Sequence, residues 1–225
     1  MIPLGVIGQL LNTNNFSVVI GSLRIPDLLT QDFELGSIPG GWTLDNGTPN
    51  YGYTPALRGN FSLFLSASTG DQTFATFSSA VNQAYSVFQY KCTSLPAGTH
   101  TILRLRSGSA ATQTLGYVSI TSTGQMQVLD WNQTTQSITV GTLSINTTYY
   151  VWTSYTTGSG NNSVHTVGFS TTPVEPTSGN NYATLNAGTS TSSISQFDYF
   201  NSANGPTGSI YDHIGVATFD MPDGW

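Results

Sequence analysis

The sequence predicts an all-β fold, and three observations lead to that prediction: short runs of β-forming residues, closely spaced turn signals and no lasting helical periodicity. The run at residues 99–105 shows the periodicity of a strand, because alternate residues fall on opposite faces. In this run His100, Ile102 and Arg104 are expected to share one face. Many short strands joined by regular turns are typical of an antiparallel two-sheet sandwich or a barrel, so we expect little helix.

Nine runs are expected to form strands, and they are residues 61–66, 84–92, 99–105, 115–121, 125–131, 148–157, 163–170, 182–187 and 210–219. Thr123 and Gly124 separate two of these runs by a gap short enough for a hairpin. Residues 173–209 are the least regular part of the chain, since apart from the run at 182–187 they carry loop signals. A long loop of this kind is often functional or forms an interface.

The chain is expected to form one domain with an N-terminal arm. A single all-β domain often reaches the length of this chain, 225 residues. Residues 1–30 hold apolar segments separated by polar ones, and they need another surface to cover them, either the same sandwich or a neighbouring subunit. A first strand of the sheet explains this segment equally well. Residues 31–225 are expected to form the sandwich.

The charge of the chain argues against two kinds of partner. Only 7% of residues are charged and the net charge is −6, whereas nucleic-acid binding needs clustered positive charge. Arg104 and Arg106 alternate along one strand, and we interpret them as part of a solvated sheet face. No stretch approaches the roughly 18 apolar residues that span a bilayer. We therefore expect neither a nucleic-acid nor a membrane partner.

Several segments resemble a known group of β-sandwich modules. Residues 32–47 (DFELGSIPGGWTLDNG) and 57–66 (LRGNFSLFLS) resemble the opening of carbohydrate-binding and laminin-G-like jelly-roll modules. Residues 146–164 are similar to the strand–turn–strand pair of the concanavalin A/laminin-G group, and 209–218 resemble its closing strand. The resemblance spans residues 31–219 and implies a two-sheet antiparallel jelly roll. The galactose-binding-like sandwich has the same opening, so both topologies stay open, and a fold-level likeness transfers no ligand.

The sequence offers few residues for catalysis. A glycosidase needs two carboxylates that flank the scissile bond, yet the chain has only two glutamates, Glu34 and Glu175, and no strand of alternating acids. A polysaccharide lyase needs a histidine or tyrosine base beside cations, and the three histidines stand apart from the five cations. We therefore expect no catalytic residues, no enzyme activity and no cofactor.

Calcium is the one metal that the resemblance favours. Jelly-roll modules of this group often bridge the opening and closing strands with Ca²⁺, an ion that takes six to eight oxygen ligands. Glu34 and Asp212 occupy the matching positions in this sequence. Both are weak candidates, because neither lies in an acid-rich stretch.

Sugar binding requires an exposed aromatic ring with amide and hydroxyl groups nearby. The candidates for glycan contact are Trp131, which precedes Asn132, together with Tyr51, Tyr53 and Tyr199. We expect Trp42 and Trp152, which lie inside the strongest motifs, to be core residues.

Two functions follow from these features. The first is a non-enzymatic protein displayed on a particle surface, such as a phage capsid decoration (cement) protein, with other protein subunits as partners in a homo-oligomer or capsid lattice. The chain begins with Met1, shows no secretory signal and has one cysteine, yet its hydroxyl-and-amide surface is typical of an exterior module. A virion protein reconciles these facts. The alternative is a carbohydrate-binding or adhesion module of a secreted, extracellular protein.

Overall fold

The computed structural model describes residues 26, 28–68, 70–107, 113–131, 137–160 and 162–220. Most of the predicted arm, residues 1–30, lies outside the described residues and stays a prediction. The end of the arm is described: Leu29–Gln31 form a strand that pairs antiparallel with the last strand of the fold, at Ile214–Val216.

Fifteen strands are present in the described residues: β1 Leu29–Gln31, β2 Trp42–Asn46, β3 Asn50–Tyr53, β4 Ser62–Ser66, β5 Gln72–Val81, β6 Gln83–Cys92, β7 His100–Ser107, β8 Gln113–Ile120, β9 Gln125–Asp130, β10 Ser137–Thr142, β11 Tyr149–Thr156, β12 Ser163–Ser170, β13 Tyr182–Gly188, β14 Ile194–Phe200 and β15 Gly208–Ala217.

The strands form two antiparallel sheets that pack as a sandwich. The eight-stranded sheet has the order β13-β12-β11-β6-β15-β4-β3, and β1 pairs with β15 beside β4. The seven-stranded sheet has the order β10-β9-β8-β7-β14-β5-β2. The prediction of an all-β, two-sheet antiparallel sandwich is confirmed. Within the described ranges, no helix is long and apolar enough to cross a membrane.

The core lies between the sheets and is rich in aromatic rings. Tyr199 stacks on Trp42 at 5.3 Å between ring centroids and meets Phe88 and Tyr211 edge to face. All four belong to one buried cluster that also holds Leu103. Burying one large apolar side chain contributes about 1.5–3 kcal/mol, so this cluster dominates the stability of the fold.

The outer face of the eight-stranded sheet carries a second, smaller apolar cluster. Val87, Trp152 and Ala217 are buried there, with Phe219 packed against them. Gly168 lies opposite Trp152, and a Cβ at Gly168 would come within 3.0 Å of the Pro176 ring. The segment after β12 therefore approaches closely enough to cover this face, and the glycine is what permits the approach.

The structure corrects the sequence analysis in the region 173–209. That region contains β14 as well as β13, and β14 lies in the middle of the seven-stranded sheet between β5 and β7. Residues Ile194–Phe200 are therefore a central strand and not part of a loop. The prediction that the hairpin turns at Thr123 and Gly124 is confirmed, since β8 and β9 pair on either side of it and Gly124 has φ of 81°.

Candidate functional site

Two arginines project from the centre of the outer face of the seven-stranded sheet. Leu103 and Leu105 of β7 belong to the core, so Arg104 and Arg106 point the opposite way. A β-bulge between Thr101 and Leu103 breaks the simple alternation, and Ile102 is buried although it was expected to share the face of Arg104. The two arginine side chains are 22% and 18% exposed.

A buried carboxylate holds the two arginines together. Asp198 of β14 lies opposite Arg104, and its Oδ2 accepts from Arg104 Nε at 2.8 Å and from Arg106 Nη1 at 3.1 Å. Arg104 Nη2 also lies 2.7 Å from Oδ2. Gln196 and Gln72 donate further hydrogen bonds to the same carboxylate. The Asp198 side chain is 0% exposed, and a carboxylate at such a position is costly unless it is paired in this way.

A first cavity lies directly beside Arg104. It has a volume of about 200 Å³ and is lined by Thr101, Arg104, Tyr117 and Phe200. The Arg104 guanidinium sits 5.4 Å above the centroid of the Phe200 ring, a cation–π contact that limits where the arginine head can move. Two guanidinium charges and one carboxylate leave this part of the face with one net positive charge.

A second cavity continues the first across β8. It has a volume of about 370 Å³, and the two cavities share Tyr117. Tyr117 lies opposite Arg104 in the register of β7 and β8. Among the described residues, none is a hydrogen-bond partner of the Tyr117 hydroxyl. We refer to both cavities together as the outer-face groove, lined by Thr101, Arg104, Gln113, Thr114, Tyr117, Trp131 and Phe200.

The structure separates the four predicted glycan-contact residues. Trp131 lines the outer-face groove and is 47% exposed. Tyr51 and Tyr53 lie on β3, at the edge of the other sheet: the Tyr51 hydroxyl bonds Thr73 Oγ1 at 2.7 Å, and the Tyr53 ring stacks on Phe64 at 4.6 Å. Tyr199 is a correction, because it is 0% exposed in the core and has no face to offer a sugar.

The two predicted calcium ligands meet at one loop but bind its N–H and O–H groups. Glu34 accepts from Asn60 through both the backbone and the side-chain amide, at 2.8–3.1 Å. Asp212 accepts from Arg58 N and Ser62 Oγ, each at 2.8 Å. Burial raises the pKa of Asp212 to about 6, against these hydrogen bonds that lower it. Calcium binding at Glu34 and Asp212 stays a prediction.

None of the three histidines is a lining residue of the outer-face groove, but the His100 ring stacks on the groove residue Phe200 at 6.0 Å between ring centroids. Burial lowers the pKa of His100, His165 and His213 to about 4 in each case, so all three are neutral at pH 7. His165 Nε2 bonds Thr153 Oγ1 at 3.0 Å inside the fold. In the part of the chain that the structure describes, no three His, Cys, Asp or Glu side chains are placed to hold a metal ion.

The centre of this site differs from the expectation from sequence. Arg104 and Arg106 were interpreted as a solvated face, whereas they form a network around a buried acid. The available signal was the alternation in β14, where Gln196, Asp198 and Phe200 are polar or half-exposed and the residues between them are core aromatics.

No protein-family model and no curated protein matches this sequence. Solved structures do share its fold. The chain is similar to an alginate lyase from Aplysia kurodai, at 8% identity and a TM-score of 0.61 over 85% of this chain and 99% of that chain. It is similar to endo-β-1,4-glucuronan lyase from Trichoderma reesei, at 12% identity and a TM-score of 0.56 over 85% of this chain and 95% of that chain.

A third similar structure is the binding domain of botulinum neurotoxin serotype D, at 11% identity and a TM-score of 0.56 over 88% of this chain and 49% of that chain. At such identities a likeness shows the fold alone. The shared fold is an all-β sandwich, which agrees with the predicted jelly-roll resemblance at that level. The laminin-G-like and galactose-binding-like topologies stay predictions.

The prediction that the chain is not an enzyme is contradicted by these neighbours, because polysaccharide lyases are among the structures that share its fold. That prediction rested on missing carboxylate pairs and on histidines far from cations. A tyrosine can also be the base of a lyase, and the structure places Tyr117 opposite Arg104. The expectation that the histidines stand apart from the cations is also wrong for His213, whose Nε2 lies 2.7 Å from Arg58 Nη1.

Proposed function

We propose that the protein binds an acidic polysaccharide in the outer-face groove. The observation that carries the proposal is the pair Arg104 and Arg106, fixed side by side by Asp198 at the edge of a groove that also contains Tyr117 and Trp131. The names of the alginate and glucuronan lyases that share the fold support it, since both name a polymer of uronic acids.

The arginine pair favours a carboxylate-bearing sugar for a chemical reason. A guanidinium presents planar N–H donors that match a carboxylate, and charge-assisted hydrogen bonds of this type are stronger than neutral ones. Asp198 balances one of the two positive charges and leaves the other for a ligand. Because the whole chain has a net charge of −6, an acidic polymer is repelled over long distances and binding depends on this local positive site.

The test measures binding of alginate, glucuronan and a neutral β-glucan by calorimetry or affinity electrophoresis. We expect the wild-type protein to bind one of the acidic polymers and to bind the glucan more weakly. The double variant R104Q/R106Q is expected to lose about tenfold or more of that affinity, the effect of losing hydrogen bonds to a charged group.

The matched control is Lys91→Gln, which removes a positive charge from β6 in the other sheet. It is expected to leave the affinity within about twofold of the wild type, because a screened charge far from a ligand has little effect. An equal loss in both variants would show that total charge, and not the arginine pair, governs binding, and the proposal would fail.

A second function, cleavage of the same polymer by β-elimination, is favoured by Tyr117. Its hydroxyl lacks a partner among the described residues, and Tyr117 lines the first cavity together with Arg104. In this reaction Tyr117 would remove the proton α to the uronate carboxylate, whose charge the arginines neutralise. The electron pair of that C–H bond would form the C=C bond while the C–O bond to the leaving sugar breaks and its oxygen takes up a proton.

Elimination creates an unsaturated uronate, which is measured by its ultraviolet absorbance during incubation with alginate or glucuronan. We expect Tyr117→Phe to abolish the absorbance increase while it keeps binding, because only the hydroxyl is removed. Unchanged product formation by Tyr117→Phe would exclude Tyr117 as the base. Binding without any product in the wild type would leave the binding function alone.

Display on a virion surface and assembly with other subunits stay predictions, and none of the neighbours in fold described above supports a capsid role. We propose an extracellular location as the one that fits a polysaccharide ligand. The predicted absence of nucleic-acid and membrane partners also stays a prediction.

A further inference from the structure

Trp131 is exposed and yet held in place. Its side chain is 47% exposed. The indole Nε1–H donates to Thr189 Oγ1. Thr189 in turn donates from Oγ1 to Asp130 Oδ2 at 2.6 Å and from its backbone N to both carboxylate oxygens at 3.3 Å. Asp130 is 2% exposed, so the chain of hydrogen bonds ends on a buried group.

This chain of hydrogen bonds fixes the orientation of the indole ring. Asp130 is the last residue of β9 and is therefore held by the sheet, and its carboxylate fixes both the backbone and the hydroxyl of Thr189. The hydroxyl of Thr189 then sets where the indole N–H points. A binding group whose orientation is set before the ligand arrives loses less conformational entropy on binding.

The cavity beside Trp131 suits an uncharged part of a sugar. Its other lining residues are Gln113, Thr114 and Tyr117, which offer amide and hydroxyl groups and no formal charge. An aromatic face with a few polar groups around it is the usual composition of a small-ligand pocket. The arginines lie on the far side of β8, because Arg106 is opposite Thr114 in the register of β7 and β8.

We propose that Trp131 is a preorganised stacking platform for the uncharged face of a pyranose ring, across β8 from the arginine pair, and that Thr189 is its positioning residue. The inference rests on the proposed function, because it assigns the second position of the same groove. It adds that the groove has two chemically different halves: one for a carboxylate and one for a neutral sugar face.

The experiment uses two probes that differ only in charge: a mannuronate hexasaccharide and the same hexasaccharide after reduction of its carboxyl groups. Trp131→Ala is expected to weaken both probes by about tenfold, the size expected for loss of an aromatic contact. R104Q/R106Q is expected to weaken only the acidic probe. Binding is measured by calorimetry with the full chain, and urea unfolding confirms that each variant is folded.

The role of Thr189 is tested by the pair Thr189→Val and Thr189→Ser. Valine keeps the shape of threonine but removes the hydroxyl, so the indole should turn more freely, with about threefold weaker binding and a smaller near-ultraviolet circular dichroism signal from Trp131. Serine keeps the hydroxyl and should restore both. A purely structural role of Thr189 would change stability without changing the signal of the indole.

The outcomes separate the two proposals. If Trp131→Ala binds both probes as tightly as the wild type, or if the wild type binds neither probe, the platform is excluded. If R104Q/R106Q keeps full affinity for the acidic probe while Trp131→Ala loses affinity for both, the platform stands and the arginine-based function fails. If R104Q/R106Q loses the acidic probe alone and Trp131→Ala loses both, both proposals are supported.

Discussion

The two outer faces of the sandwich differ in what occupies their centres. On the eight-stranded sheet the centre is apolar, and Val87, Trp152 and Ala217 are buried beneath other parts of the same chain. On the seven-stranded sheet the centre consists of Arg104 and Arg106, about one fifth exposed, around the buried Asp198.

This difference distinguishes a face that serves stability from the face on which we propose a ligand site. A buried ion pair is often no more stabilising than apolar residues of the same size. One outer face is filled by apolar residues. Stability alone therefore does not account for the charged residues at the centre of the other face. The proposed binding site does account for it, because the arginine side chains stay about one fifth exposed while Asp198 fixes their positions.

The largest effect on stability is expected from a substitution in the apolar cluster on the outer face of the eight-stranded sheet. Trp152→Ala removes a side chain that is 5% exposed and packs on Val87 and Ala217. We expect the free energy of unfolding to fall by about 4 kcal/mol, as for other buried tryptophans replaced by alanine. Urea unfolding measures this, and polysaccharide binding of the folded fraction should be unchanged. A large loss of affinity would mean that the two faces are not independent.

The second largest effect on stability is expected when the buried carboxylate that holds the two arginines is replaced. Asp198→Asn keeps the shape of the side chain but leaves Arg104 and Arg106 without a counter-charge, and we expect a loss of about 3 kcal/mol in the free energy of unfolding. Asp45→Asn is the matched control, since Asp45 is exposed on β2, and its effect should stay within about 0.5 kcal/mol. Equal effects of the two variants would contradict a network that depends on Asp198.

The third prediction concerns pH, because His100 on one sheet and Asp212 on the other have opposite responses to it. Burial lowers the pKa of His100 on β7 to about 4, below the ordinary value of about 6.5. Its contribution to stability is therefore present above pH 6.5 and is lost as the pH falls through 4. Burial raises the pKa of Asp212 on β15 to about 6, so its contribution is present below its unfolded pKa and is lost as the pH rises through 6.

We therefore expect His100→Gln to lose less stability than the wild type between pH 7 and pH 4.5, and Asp212→Asn to lose more. The difference is roughly 2 kcal/mol in each direction, from about 1.4 kcal/mol per pKa unit. The free energy of unfolding is measured in urea at both pH values. Identical pH profiles of both variants and the wild type would show that neither group titrates as described.

The fold could be predicted from the sequence further than the site could. Periodicity of two and turn residues are local signals, and the nine predicted runs all correspond to strands. The site depends on which strands become neighbours. Asp198 and Arg104 are 94 residues apart in the chain, and no local pattern indicates that β14 inserts between β5 and β7.

Tyr199 shows the same limit at a single residue. In a loop it would be a reasonable sugar platform, and the segment 173–209 carries mostly loop signals. Once β14 is recognised as a strand, its alternation decides the outcome: Phe197 and Tyr199 point to the core, while Asp198 points to the outer face. The error therefore came from the assignment of the element and not from the chemistry of the residue.

The smallest effect on the free energy of unfolding is expected for Trp131→Ala, and it compares one tryptophan on each outer face. Trp131→Ala removes an indole that is 47% exposed, whereas Trp152 is 5% exposed. Because half of the Trp131 surface already contacts water, we expect the free energy of unfolding to change by about 1 kcal/mol or less. Urea unfolding of both alanine variants makes the comparison. A loss as large as that of Trp152→Ala would show that Trp131 supports the fold, and its exposed face would then need no ligand to explain it.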